Sequence, residues 1–361
     1  MELLANFITR IKMVLLPELE TQIGPLSDRE RKFIRIIEMV QVKRFTKKLD
    51  WKRIGRKPAN RTAMAHAFIA KAVWNLPGTK DILDLLHANS KLRRFCGWSL
   101  DYEIPSESTF SRVFAQFAEM ELPQQIHAAL IKTHWNDRLA CHVSRDSTKI
   151  GAREKPEKKP KVKKTPVKRG RPKKGEHRIK PKRRLELQPE RTLRENLADL
   201  PTACNVGAKT NSKGYKESWI GYKLHMDVMD GDIPVSAILT SASLHDSQAA
   251  IPLAQMTDER ITHLYDLMDS AYDAPEIHAF SRALNHVPLI DHNRRGGQKR
   301  PFEPAQAQRY KARSSAERVN SNLKDNYGGR QVRVKGNAKV ACHLMFGLVA
   351  LTATQLYHVL C

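Results

Sequence analysis

The sequence predicts a mixed α/β sheet flanked by helices and preceded by an all-helical N-terminal region. Three observations carry this. Apolar residues recur three and four apart through about the first 135 positions, and the pattern changes near residue 139 to short β-rich runs. From there a hairpin is followed by alternating strand-like and helix-like segments.

Residues 1–135 form the helical region. FIRIIEMVQVKRF, TAMAHAFIAKAVWNL, DILDLLHANSKLRRFCGW and STFSRVFAQFAEM have helical spacing and are separated by Pro and Gly breaks; Ser106 or Ser108 caps the last. Basic helices with a Pro-Ser turn suit a helix-turn-helix reader of DNA ends and equally a plain scaffold. The run LACHVSRD then reads as a strand ending in an acid. SWIGYKLHMDVMDGD and IPVSAILTSAS read as a hairpin turning at Asp230-Gly231-Asp232. DSQAAIPLAQM is a helix, HLYDLMD a buried strand, APEIHAFSRAL a helix, VPLID a strand, and SSAERVNSNLKDNY and the apolar C-terminal run are helices. A hairpin followed by strand–helix alternation implies a mixed sheet.

Charge names the partner. The chain has 63 Lys plus Arg against 38 Asp plus Glu, a net of +25, which attracts polyanions, nucleic acid above all. More than half of the excess lies between residues 153 and 194, where 19 Lys or Arg face 5 Glu for a net of +14. That segment is rich in Pro and nearly free of aromatics, so residues 153–204 are expected to be a largely disordered basic insertion. It splits the α/β domain into 136–152 and 205–361.

Other classes are disfavoured. Five scattered cysteines, none spaced as CxxC, fit a reducing cytoplasm and argue against a zinc module or a disulfide framework. The N-terminus lacks the layout of a secretory signal. Val340 to Leu360 is long enough to span a membrane, but His343, Thr352, Thr354, Gln355 and His358 interrupt it, so a buried terminal helix and no membrane partner are expected.

The chemistry concentrates around Glu317. At about 100° per residue, Glu317, Asn320 and Lys324 fall within about 40° of Arg313, in one polar stripe. Ala312, Ala316, Val319 and Leu323 form an apolar stripe beside it, and Lys311, Arg318 and Asp325 face away. Polar groups along the edge of a core line a cleft, whereas a common surface helix keeps its charges opposite; an Arg–Glu i,i+4 pair on a solvated face is the plain alternative. Two further acids weigh against that alternative. Asp146 follows LACHVSR and Asp269 ends HLYDLM, and strand-end carboxylates project into the crevice of open α/β sheets. With Glu317 they offer hard oxygen ligands for two Mg²⁺, with Mn²⁺ as a substitute.

These residues resemble a known family. Tyr310, two residues, Arg313, three, Glu317, six, Lys324 is similar to the Y-R-E-K signature of DDE transposases of bacterial insertion sequences. Asp269 in LMDSAYDA resembles that family's strand-ending aspartate, and Asp146 in SRDSTKI its first; LHDS at 244–247 and PSESTFSR also resemble such proteins. The resemblance implies an RNase H-like fold, metal-dependent cleavage at transposon ends and strand transfer into target DNA. Asp146, Asp269 and Glu317 would be the catalytic metal ligands. Arg313, Lys324, Asn320 and Tyr310 would hold or position DNA phosphates, in a homodimer on double-stranded DNA within the bacterial cytoplasm and nucleoid. One departure stands out: the interval from Asp269 to Glu317 is too short for the β insertion of some relatives, which leaves a hairpin route in doubt. The rival readings are an RNase H-like structure-specific nuclease, which cuts and never joins, and a non-catalytic DNA-binding protein.

Smaller motifs complete the reading. Arg169-Gly170-Arg171-Pro172 within KRGRPKK resembles an AT-hook, whose Arg side chains enter narrow minor grooves; a generic phosphate-binding tail is the alternative. Asp246 is expected to cap the helix DSQAAIPLAQM rather than border the metal site, and Trp219 to belong to the core rather than stack on a base.

Overall fold

The computed structural model describes residues 7–51, 54–55, 57–135, 138–158, 182–210, 214–295 and 297–360. The AT-hook-like residues Arg169, Gly170, Arg171 and Pro172 lie outside them.

The helical region holds α1 (Leu16–Ile23), α2 (Asp28–Val40), α3 (Arg61–Val73), α4 (Thr79–Ala88), α5 (Ser90–Cys96), α6 (Glu107–Glu119) and α7 (Leu122–Trp135), besides shorter turns. Starts are set by local chemistry. Ser27 and Glu30 form a reciprocal capping box on α2, and Asn60 accepts the Ala63 amide at 3.1 Å to begin α3. Ser106 occupies the N-cap position of α6, yet its hydroxyl bonds the Ser108 and Thr109 hydroxyls and no helix amide.

The sheet comprises β1 (Leu139–Gly151), β2 (Asn205–Thr210), β3 (Lys216–Met229), β4 (Ile233–Ser241), β5 (Thr262–Met268) and β6 (Val287–Ile290). Its order is β2-β3-β1-β5-β6, with β4 also on β3. β1 runs antiparallel to β3 and parallel to β5, and β5 parallel to β6. Between and after these strands lie α8 (Leu193–Asp199), α9 (Ser247–Asp258), α10 (Pro275–Ala283), α11 (Pro304–Tyr310), α12 (Ser314–Asn326) and α13 (Asn337–Leu360). An antiparallel unit of four strands, β1 to β4, continued by two parallel strands, with helices on the faces, is consistent with an RNase H-like core.

Two expectations need correction. β1 does not stop at Asp146 but continues to Gly151, paired with β3 throughout. Its polar run SRDSTK breaks the alternation by which a half-buried strand is recognised, because those side chains find polar partners inside the fold. Residues 182–204, read as part of a disordered insertion, are folded against α9. Thr192 and Glu195 cap α8, Arg184 pairs with Asp199 at 2.7 Å, and Asn196 bonds Gln188 and Gln255. Leu197 and Leu200 join a cluster with Leu244 and Leu253. Averaging charge over 153–204 hid these leucines behind the lysines that precede them.

α13 lies at the centre, against α2, α3, α6, α7 and β4. It is long and apolar enough to cross a membrane by composition, and 83% of its most apolar window is buried within this chain. Phe68 of α3 meets Phe110, Phe114, Phe117 and Phe346 at centroid distances of 5.7, 5.0, 6.2 and 5.5 Å, so the helical region and the sheet share one apolar core. Gly347 lets α13 approach the end of α12: a Cβ there would sit 2.6 Å from Tyr327 O and 3.0 Å from Leu323 Cδ1. Gly347→Ala is therefore expected to destabilise by about 1–3 kcal/mol through overpacking, seen as a lower Tm; an unchanged Tm would refute this close approach.

Candidate active site

The parallel pairing of β1 with β5 sets Arg145 opposite Met268, so the next residues, Asp146 and Asp269, emerge side by side. Asp146 lies within β1, and Asp269 directly follows β5, where its carboxylate accepts the Ala271 amide at 2.9 Å. Both are partly buried. Burial pushes the Asp146 carboxyl up to about 6, and the neighbouring Asp269 charge adds to this against the Ser147 amide, Arg313 and Lys209. Burial likewise raises Asp269, helped by Asp246.

The polar stripe of α12 faces these acids. Asn320 donates to Asp146 Oδ2 at 3.0 Å, and Lys324 Nζ to Thr148 Oγ1 at 2.5 Å. Ala316, Val319 and Leu323 are buried, while Lys311, Arg318 and Asp325 are exposed, matching the three faces read from the sequence. Tyr310 and Arg313 precede the regular helix: Tyr310 ends α11, and Lys311–Arg313 is a tighter 3₁₀ turn. Tyr310 donates its hydroxyl to Met268 O at 3.1 Å, tying this turn to the end of β5.

Glu317 differs from the aspartates. Its side chain is 57% exposed and pairs with Arg313 at 2.5 Å. The Arg313 guanidinium in turn feels the charges of Glu317, Asp146 and Asp269 together, which raise its pKa against burial. Arg313 thus pairs with Glu317 and its charge is felt by both aspartates, as is that of Lys209. Among the described residues, the ligand atoms of this trio do not converge within 4.8 Å; the trio that does is His263, Asp266 and His286.

Sequence reasoning missed part of the surroundings. Asp246 stands at the start of α9 without bonding a helix amide. It accepts Lys223 Nζ at 2.8 Å and lies 4.0 Å from His225 Nδ1, so it borders the acids instead of capping. The motif LHDS was visible, but only the fold sets it beside Asp269. Beneath the site, Arg145 forks onto Asp227 at 2.8 and 2.7 Å, all but excluded from solvent, and Thr257 also donates to Asp227 at 2.7 Å. Nothing in the sequence singled out that pair. Trp219 is half-buried over Gly207 and donates to Tyr222 O, an edge-strand contact rather than a core position.

The donor set suits divalent cations. Asp146 and Asp269 are hard oxygen donors, desolvated and mutually repelling, a state that positive charge relieves. Glu317 can join them by leaving Arg313.

A mixed sheet with desolvated acids at adjoining strands, ringed by Arg and Lys in a strongly basic chain, defines a nucleic-acid-processing enzyme. The family model described as Transposase DDE domain matches residues 139–353, and one described as Transposase domain (DUF772) matches residues 18–116. The first spans more than half of the chain, which belongs to the DDE transposases of the insertion-sequence type. It is thus an enzyme of DNA cleavage and strand transfer, and the family depends on divalent metal ions. A search of curated proteins finds no match.

Proposed function

We propose that Asp146, Asp269 and Glu317 are the catalytic metal ligands, that they hold two Mg²⁺, and that Mn²⁺ can substitute. The observation that carries this is the desolvated Asp146–Asp269 pair sharing Arg313 with Glu317. Cations held there would supply activation of the attacking oxygen and stabilisation of the leaving oxygen in an in-line phosphoryl displacement.

The remaining roles belong to this chain's side chains. Asn320 holds the Asp146 carboxylate through its amide. Glu317 would join the aspartates on leaving Arg313, whose guanidinium would then be free to grip a DNA phosphate. Lys324, half-buried on the same face, holds a second phosphate, and Tyr310 orients the backbone from the end of β5. The substrates are the two transposon ends and a target duplex, bound by a homodimer in the cytoplasm among the nucleoid DNA, with no membrane role. Among the described residues, α10, β6 and α11 fill the interval from Asp269 to Glu317 without an inserted β subdomain.

The test is a strand-transfer assay with end duplexes and a plasmid target, with and without Mg²⁺. Joined products that require Mg²⁺ support the reading. Cut ends with no joined product would make the protein a structure-specific nuclease.

The basic insertion adds a separable expectation. Its Lys and Arg contribute through counterion release, with a log–log salt slope of roughly −0.9 per phosphate neutralised. Because residues 182–204 are folded, the informative change replaces only residues 160–180 by a Gly/Ser linker. Affinity should fall for all duplexes and the salt slope should flatten. Replacing Arg169 and Arg171 alone should erase any preference for A·T-rich DNA; an unchanged preference would reduce the motif to a generic tail.

A further inference from the structure

We propose that His263, Asp266 and His286 form a second, buried metal site, for one divalent cation of the zinc type, distinct from the acid cleft. His263 and Asp266 lie on β5, and His286 just before β6. All three are almost fully excluded from solvent, and one ligand atom from each lies within 4.8 Å of the others.

The spacing is that of ligands around a small cation. His263 Nε2 is 3.1 Å from Asp266 Oδ1, and His286 Nδ1 is 3.4 Å from Asp266 Oδ2. Donors about 2.0–2.1 Å from a tetrahedral zinc are separated by roughly 3.3 Å. Asp266 faces one histidine with each oxygen, and the three residues offer one ligand atom each.

A second observation concerns hydrogen bonding. Asp266 Oδ2 and His286 Nδ1 face each other at 3.4 Å without a well-formed hydrogen bond, and His263 Nδ1 on the other side of its ring is buried without a partner. Buried polar atoms are nearly always satisfied, and an absent ion is one recognised reason for an exception. On the far side of its ring, His286 Nε2 lies 3.8 Å from Asp258 Oδ1, where a carboxylate can orient a ligating imidazole.

The surrounding charges permit a cation. Arg145 Nη2 is 3.8 Å from Asp266 Oδ1, while its Nε and Nη2 donate to Asp227 and its Nη1 to Met268 Sδ. Two imidazoles and one carboxylate favour zinc over magnesium, which prefers oxygen donors and retained water. The cation would staple the turn between α10 and β6 onto β5, three residues before Asp269. That role is structural and needs no part in strand transfer.

The experiment uses the full chain, refolded with and without Zn²⁺, dialysed, and analysed for metal by mass spectrometry. One zinc per chain is expected in the wild type and in Asp269→Asn, and none in His286→Asn. Zinc at a hundredfold excess over its dissociation constant should raise the wild-type Tm by roughly 5 °C. Should His286→Asn fail to fold, refolding the wild type with Co²⁺ decides: intense visible bands of four-coordinate cobalt support the site. A metal-free wild type with the same Tm in Zn²⁺, and only the faint spectrum of hydrated cobalt, would overturn it and leave a hydrogen-bonded histidine–aspartate cluster. Loss of zinc in Asp269→Asn but not in His286→Asn would assign the metal to the acid cleft.

Discussion

Asp269→Asn is expected to lower DNA cleavage by on the order of a thousandfold or more while leaving DNA affinity near the wild-type value. Asn keeps the shape, and its carbonyl oxygen can still accept the Ala271 amide. What disappears is the negative charge beside Asp146, on which cation binding depends. Stability should hold or rise, because Asp269 is a desolvated acid repelled by Asp146 and Asp246. Cleavage rate, duplex affinity and Tm measured on one preparation check this. Parallel loss of cleavage and affinity with a lower Tm would make Asp269 a structural residue.

The second large effect is on stability. Arg145→Leu is expected to cost about 3–5 kcal/mol, because Asp227 would remain buried with its charge uncompensated. Among the described residues, only the Thr257 side chain would still donate to that carboxylate. Arg145→Leu/Asp227→Leu should recover part of the loss, since replacing both members of a buried pair by apolar groups is often close to neutral. Urea midpoints of the two variants check this; a double variant no more stable than the single one would show that Arg145 acts through packing instead of charge.

The sequence carried much of this fold. The hairpin at Asp230–Asp232, the order of strands and helices after it, and the three faces of α12 all follow from period and turn chemistry, which are local properties. What escaped was non-local. The second half of β1 is polar, and its partners come from β3 and α12, far along the chain. Residues 182–204 looked like the lysine-rich run before them, although Leu197 and Leu200 had an apolar cluster to join. Asp246 had a local explanation as a cap that is right for most acids at helix starts, and only the approach of Lys223 reveals the other use of its carboxylate. At the site, Asp269 was legible as a strand-end acid, whereas Asp146 was read as one and lies mid-strand, since β1 continues to Gly151. The engagement of Glu317 with Arg313 is the i,i+4 pair that the sequence reading set aside as the plain alternative, and the influence of Arg313 on both aspartates needed the parallel register of β1 and β5.

The central claim, that three carboxylates hold the catalytic cations, is tested most directly by metal-specificity rescue. Asp146→Cys, Asp269→Cys and Glu317→Cys each exchange a hard oxygen ligand for a soft sulfur, which Mg²⁺ binds poorly and Mn²⁺ tolerates better. The measurement is cleavage of one end duplex by each variant in Mg²⁺ and in Mn²⁺. The account predicts that all three are inactive in Mg²⁺ and that cleavage returns in Mn²⁺. A variant that cuts in Mg²⁺ at the wild-type rate would contradict it, since that carboxylate would then hold no catalytic cation.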